Sequence, residues 1–222
     1  MCLIDFPPYT SCILFIAGCN FKCPYCHNAE LVEGYKETPD MDEEKVMAFL
    51  ETRKEWLDAV VITGGEPTLY PELKELIKKI KEKGFMVKLD TNGTMPENLK
   101  KLLPLIDYVA MDIKAPLEKY HIPTRVDVNT KKIQESIELL KNGKIDYEFR
   151  TTVLPEFFSE EDAKAIGKLI NGCKKYVLQQ FRPTTTLDET YKDKKGYSKE
   201  ELEKFSEIMK EYAGVVEVRG TI

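Results

Sequence analysis

Short apolar runs rich in β-branched residues alternate with amphipathic stretches along the whole chain. The runs at 12–16, 59–63, 86–89, 108–111, 147–153, 176–178 and 215–218 predict strands. Between them, Leu73, Leu76, Ile77 and Ile80 fall at i, i+3, i+4 and i+7, one stripe of a helix. Leu202, Phe205, Met209 and Tyr212 form a second stripe, Ile133, Ile137 and Leu140 a third, and Ile166, Leu169 and Ile170 a fourth. Ser198 with Glu201, and Ser159 with Asp162, predict capping-box helix starts.

Strands that alternate with amphipathic helices form βα units, and right-handed crossovers join these into a parallel sheet. The count is about six units with a last strand near residue 215. A closed eight-fold barrel typically takes about 250 residues, and this chain has 222. The expectation is therefore an α/β fold, an open partial TIM barrel of about six βα units, in one domain over 1–222. In such folds the functional loops follow the C-terminal ends of the strands.

Composition narrows the function. Charged residues make up 32% of the chain, with Lys and Glu closely interspersed, as in Lys81-Glu82-Lys83. A net charge of −5 gives no basic footprint for nucleic acid. No apolar run approaches the roughly 18 residues of a membrane span, so no membrane partner is expected. The start Met1-Cys2-Leu3-Ile4-Asp5 lacks the pattern of a secretory signal, which points to the cytoplasm. There, cysteines stay reduced. Three of the six lie within eight residues, which favours metal binding.

Those three are Cys19, Cys23 and Cys26, in the loop 18–28 after the first strand. Iron–sulfur clusters usually take four thiolates. Three thiolates on a 4Fe–4S cubane leave one iron free for a substrate or cofactor. The competing reading is a zinc site with His27 as fourth ligand, but adjacent residues rarely direct both side chains at one ion. Cys12 and Cys173 stand apart and read as small buried apolar residues.

Cys19-x3-Cys23-x2-Cys26, with Tyr25 before the last cysteine, resembles the signature of the radical S-adenosylmethionine superfamily. Gly64-Gly65-Glu66-Pro67, Asp90-Thr91-Asn92-Gly93 and Asp112-Ile113-Lys114 follow successive strands in the order that family shows. Within it, the chain resembles activases of glycyl radical enzymes. The nearest likeness is to the activating protein of anaerobic ribonucleoside-triphosphate reductase, with pyruvate formate-lyase activating enzyme next. Leu3-Ile4-Asp5-Phe6-Pro7, Cys23-Pro24-Tyr25-Cys26-His27-Asn28 and Gln179-Gln180-Phe181 carry that closer match.

The resemblance implies that the free iron binds S-adenosylmethionine. A low-potential electron, from a donor such as flavodoxin or ferredoxin, then cleaves it to methionine and a 5′-deoxyadenosyl radical. That radical takes hydrogen from a glycine of a partner glycyl radical enzyme. The implied cofactor-binding residues are Tyr25, His27, Gly64, Gly65, Glu66, Asp90, Thr91, Asn92, Asp112, Lys114 and Arg150, with a monovalent cation beside Asp90 and Asp112. Several have plainer readings: Gly64–Pro67 as a turn, Thr91 and Asn92 as turn and cap, Lys114 and Arg150 as structural ion pairs. The late histidine of the pyruvate formate-lyase branch is absent, and Gln180 is the expected replacement. A small-molecule enzyme such as a 7-carboxy-7-deazaguanine synthase is the main alternative function, and a non-catalytic iron–sulfur carrier the next.

Overall fold

A computed structural model describes residues 2–32 and 41–220. Seven strands lie side by side in chain order: β1 Ser11–Ile16, β2 Ala59–Gly64, β3 Met86–Thr91, β4 Tyr108–Asp112, β5 Asp146–Val153, β6 Cys173–Gln180 and β7 Ala213–Arg219. Every neighbouring pair is parallel. β1 and β7 form the two edges, so the sheet stays open and the expected α/β partial barrel is the fold. Among the described residues no helix is long and apolar enough to cross a membrane.

The crossovers carry α1 Ala29–Val32, α2 Glu43–Glu51, α3 Leu73–Glu82, α4 Pro96–Leu102, α5 His121–Thr124, α6 Thr130–Lys141, α7 Glu160–Leu169 and α8 Lys199–Met209. The four apolar positions of the α3 stripe are all buried. Each contributes roughly 1.5–3 kcal/mol of burial energy. Both capping boxes form, at Ser159 with Asp162 and Ser198 with Glu201. The stripes overran two helices. Ile170 is the C-cap of α7, and Tyr212 lies past the end of α8. There the Tyr212 ring packs on Gly167, where a Cβ would come within 2.3 Å of it.

α2 and α4 escaped the periodicity reading because each buries only two leucine or valine side chains, Val46 with Leu50 and Leu99 with Leu102, the latter beside Pro96 at the helix start. β6 is longer than its apolar run predicts. Lys174, Lys175, Gln179 and Gln180 extend it; Lys175, Gln179 and Gln180 pair into the sheet, and the polar side chains conceal this.

The sheet's two faces differ. The helix-covered face holds the main core, including Leu50, Ile62, Ile77, Leu89, Met111 and Phe149. On the inner face, Phe6 packs with Ala59 and Val61 against Ile13, Met86 and Tyr108, closing the N-terminal end of the barrel. Further along the strands the inward positions become polar: Lys88 and Asp90 on β3, Asp112 on β4, Arg150 and Thr152 on β5, Gln179 on β6. Side-chain alternation puts β3 residues 88 and 90 on one face, and Asp112 pairs in register with Arg150, Thr152 with Gln179.

Candidate active site

The loop 18–28 leaves β1 through Gly18, whose φ of 91° lies in the left-handed region that favours glycine. Backbone hydrogen bonds fasten the loop at several points. Gly18 N–H donates to the Leu31 carbonyl (2.9 Å), Lys22 N–H to Thr124 (2.9 Å) and Asp188 N–H to Pro24 (2.9 Å). Cys19, Cys23 and Cys26 all border one cavity of about 370 Å³ at the C-terminal end of the barrel. All six cysteines are free thiols. Burial pushes the Cys23 thiol up to about 12 and raises that of Cys19. A cluster would have to bind these groups as thiolates, releasing their protons.

Among the described residues no three His, Cys, Asp or Glu side chains converge on a point suited to a single metal ion. A mononuclear zinc site needs that convergence. A polynuclear cluster does not, because each thiolate meets a different iron, so three thiols around a shared space fit the cluster better. His27 is tied down through one ring nitrogen. Its Nε2–H donates to the Arg182 carbonyl (2.8 Å) and its ring stacks on Phe181 at 6.0 Å. It still borders the cavity.

The turn after β2 is set by sterics. A Cβ on Gly65 would lie 2.0 Å from the Gly18 carbonyl oxygen, and one on Gly64 2.3 Å from that of Ile16. Gly65 N–H donates to Ile16 O and Glu66 N–H to Gly18 O, both at 2.8 Å. The glycines thus permit close approach of the cysteine loop itself. Asn28 Nδ2 adds a bond to the Gly64 carbonyl at 3.0 Å.

Glu66 is fully buried and does not border the cavity. Its carboxylate accepts from Thr68 N (3.0 Å), Thr68 Oγ1, Thr91 Oγ1 (2.7 Å) and Asn92 N (2.6 Å). Burial raises its pKa, against the opposing pull of those bonds. In this structure it joins the β2 turn to the β3 turn. Asn92 continues the linkage, donating from Nδ2 to Asn20 Oδ1 at 2.9 Å. Thr91 and Asn92 therefore serve as turn and tie residues while also bordering the cavity.

Opposite the cysteines stands a row of charge. Arg150 Nε donates to Asp112 Oδ1 (2.8 Å) and Nη1 to Asp90 Oδ2 (3.0 Å), while Lys114 Nζ reaches Asp112 Oδ2 at 2.9 Å. Burial works to raise the Asp112 pKa, but Arg150 and Lys114 outweigh it and hold the carboxyl at about 2. Burial favours neutral Lys114, yet Asp112 and its neighbours hold it well above the usual range. Three carboxylate oxygens of Asp90 and Asp112 are thus engaged. The fourth, Asp90 Oδ1, faces Lys88 Nζ at 3.4 Å. A monovalent cation between these aspartates would share their oxygens with Arg150, Lys114 and Lys88.

Of the cluster cysteines and the cofactor-binding residues expected from the sequence, all but Glu66 border the cavity. Tyr25 does so with its ring packed on Phe157 at 5.6 Å. Ile13, Phe15 and Thr152 also border it and went unnoticed in the sequence, as do Asp5 and Gln179, which stand in segments that carry the family match but were not assigned to the site. Gln180, expected to replace the late histidine, instead points to the Tyr197 carbonyl at 2.5 Å. The alternation of β6 turns Gln179 inward, a signal that period-2 reading could have supplied.

The family model for the Radical SAM superfamily matches residues 13–170. The chain is 39% identical to a Methanocaldococcus jannaschii protein provisionally named a glycyl-radical enzyme activating enzyme, across 97% of this chain and 91% of that one. It is 26% identical to the pyruvate formate-lyase-activating enzyme of Clostridium pasteurianum, across 95% and 94%. Among solved structures, Streptococcus suis SuiB bound to S-adenosylmethionine shares the fold. Its TM-score is 0.72 and its identity 16%, across 95% of this chain and 50% of SuiB.

Proposed function

This chain belongs to the radical S-adenosylmethionine superfamily, and on that premise we propose that it is an activase that installs a glycyl radical on anaerobic ribonucleoside-triphosphate reductase. The observation that carries the activase reading is end-to-end likeness to activating enzymes, over 97% and 95% of the chain. The narrower choice of partner is supported by Leu3-Ile4-Asp5-Phe6-Pro7 and by Gln179-Gln180-Phe181, where the pyruvate formate-lyase branch carries a histidine.

Cys19, Cys23 and Cys26 would hold a 4Fe–4S cluster, since they share one cavity and none is in a disulfide. When bound and reduced by a donor such as flavodoxin or ferredoxin, the cluster supplies the electron that cleaves S-adenosylmethionine and so generates the hydrogen-abstracting radical. Arg150 and Lys114 present positive charge to the cofactor's carboxylate, the guanidinium offering a planar pair of donors. Phe15, Phe21 and Tyr25 line the cavity with aromatic surface.

The test is co-incubation of anaerobically reconstituted, reduced protein with purified anaerobic ribonucleotide reductase and S-adenosylmethionine. A glycyl doublet in electron paramagnetic resonance supports the reading. A doublet only on pyruvate formate-lyase would move the partner, and turnover of a deazaguanine precursor without any protein partner would replace the function.

A further inference from the structure

We propose that Lys88 is a positioning residue: from beneath the cavity it orients Asp90, and through Asp90 the Arg150 guanidinium that meets the carboxylate of S-adenosylmethionine. The inference rests on the cofactor-binding reading given above.

Lys88 lies in the middle of β3, two residues before Asp90 and on the same face. It is 3% exposed and does not border the cavity. Its Nζ donates to the Asp5 carbonyl, on the N-terminal segment that carries the Phe6 plug. The same ammonium stands 3.4 Å from Asp90 Oδ1, a buried oxygen that accepts no hydrogen bond. The other Asp90 oxygen takes the Arg150 Nη1 bond at 3.0 Å. Lys88 is thus attached to the barrel floor at one contact and to the charge row at another.

Burying an ammonium group is costly unless it is paired. A methionine of similar length would fill the same space without that cost. The charge therefore needs a role that packing does not supply, and its nearest acidic group is Asp90. With Lys88 in place, Oδ1 is balanced from below and Asp90 holds Arg150 through Oδ2 alone. Without it, both Asp90 oxygens compete for the guanidinium and draw it down from the cavity. The expected loss is in cofactor binding, since no Lys88 atom borders the reacting space.

The experiment uses full-length, anaerobically reconstituted protein and titrates S-adenosylmethionine against the resonance signal of the reduced cluster. Lys88→Met should leave the signal without cofactor unchanged and raise the dissociation constant about tenfold, the scale of one lost charged contact. Lys88→Arg should restore affinity to within about twofold, the cation being kept. In Asp90→Asn, adding Lys88→Met should cost little more, because the two act as one unit. Should Lys88→Met not fold, Lys88→Gln, which keeps a donor for Asp5 but no charge, carries the same expectation. Wild-type affinity in the neutral variants, or strictly additive effects with Asp90→Asn, overturns the proposal. A wild-type protein whose signal ignores the cofactor overturns the cavity reading instead.

Discussion

The two walls of the cavity are held by different physics. The wall of the β2 turn and cysteine loop is fixed by backbone contact: Gly65 and Glu66 donate to Ile16 and Gly18, and carbonyl oxygens occupy the space a Cβ would take. The wall across β3, β4 and β5 is fixed by side-chain charge, with Arg150 bridging Asp90 and Asp112. A steric wall has one arrangement and fails outright. A charged wall can be weakened by degrees, because its members trade partners. The first suits holding a cluster, whose thiolates must not drift. The second suits a carboxylate that must arrive and leave.

The comparison breaks most sharply at Gly65→Ala. A Cβ 2.0 Å from the Gly18 carbonyl must move the cysteine loop, so the reconstituted protein should lose its cluster absorbance near-completely while keeping its far-UV circular dichroism. Retention of a full cluster would show that the turn is not set by sterics. On the other wall, Arg150→Gln should keep the cluster yet weaken cofactor binding by roughly 10- to 100-fold, as expected when a buried charged partner is removed. Loss of the cluster in that variant would erase the distinction.

Glu66→Gln sits between the walls and should cost about 1–3 kcal/mol of stability in chemical denaturation, since an amide nitrogen replaces one of the acceptor oxygens. The effect on cofactor affinity should be smaller than that of Arg150→Gln. The smallest effect concerns pH. The Asp112 carboxyl is depressed to about 2, below its unfolded value near 3.9. It therefore stabilises the fold above pH 4 and loses that contribution as pH falls through about 2. Asp112→Asn should flatten the acid limb of apo-protein stability between about pH 4 and 2, and an unchanged limb would argue that other carboxyls dominate.

The two walls also differed in how plainly they read in the sequence. The cysteine spacing and Gly64-Gly65 are short local patterns, and the loop they mark leads into the cavity. The strands and the α3, α6, α7 and α8 stripes were equally plain, because four or three apolar residues recur at helical spacing. What the sequence concealed depends on contacts distant along the chain. Glu66 looks like a ligand residue until Thr91 and Asn92 surround its carboxylate, 25 and 26 residues away. Lys88 looks like a surface lysine until the strand alternation and the Phe6 plug bury it. Gln179 and Gln180 differ only in which side of β6 they occupy, which depends on where the strand begins.

The most direct test of the central claim uses S-adenosylmethionine labelled with ¹⁵N at its amino group, added to reduced, reconstituted protein for electron–nuclear double resonance. A ¹⁵N coupling to the cluster is predicted, since three cysteines leave one iron for the cofactor. An intact 4Fe–4S signal with no such coupling at saturating cofactor would contradict the account.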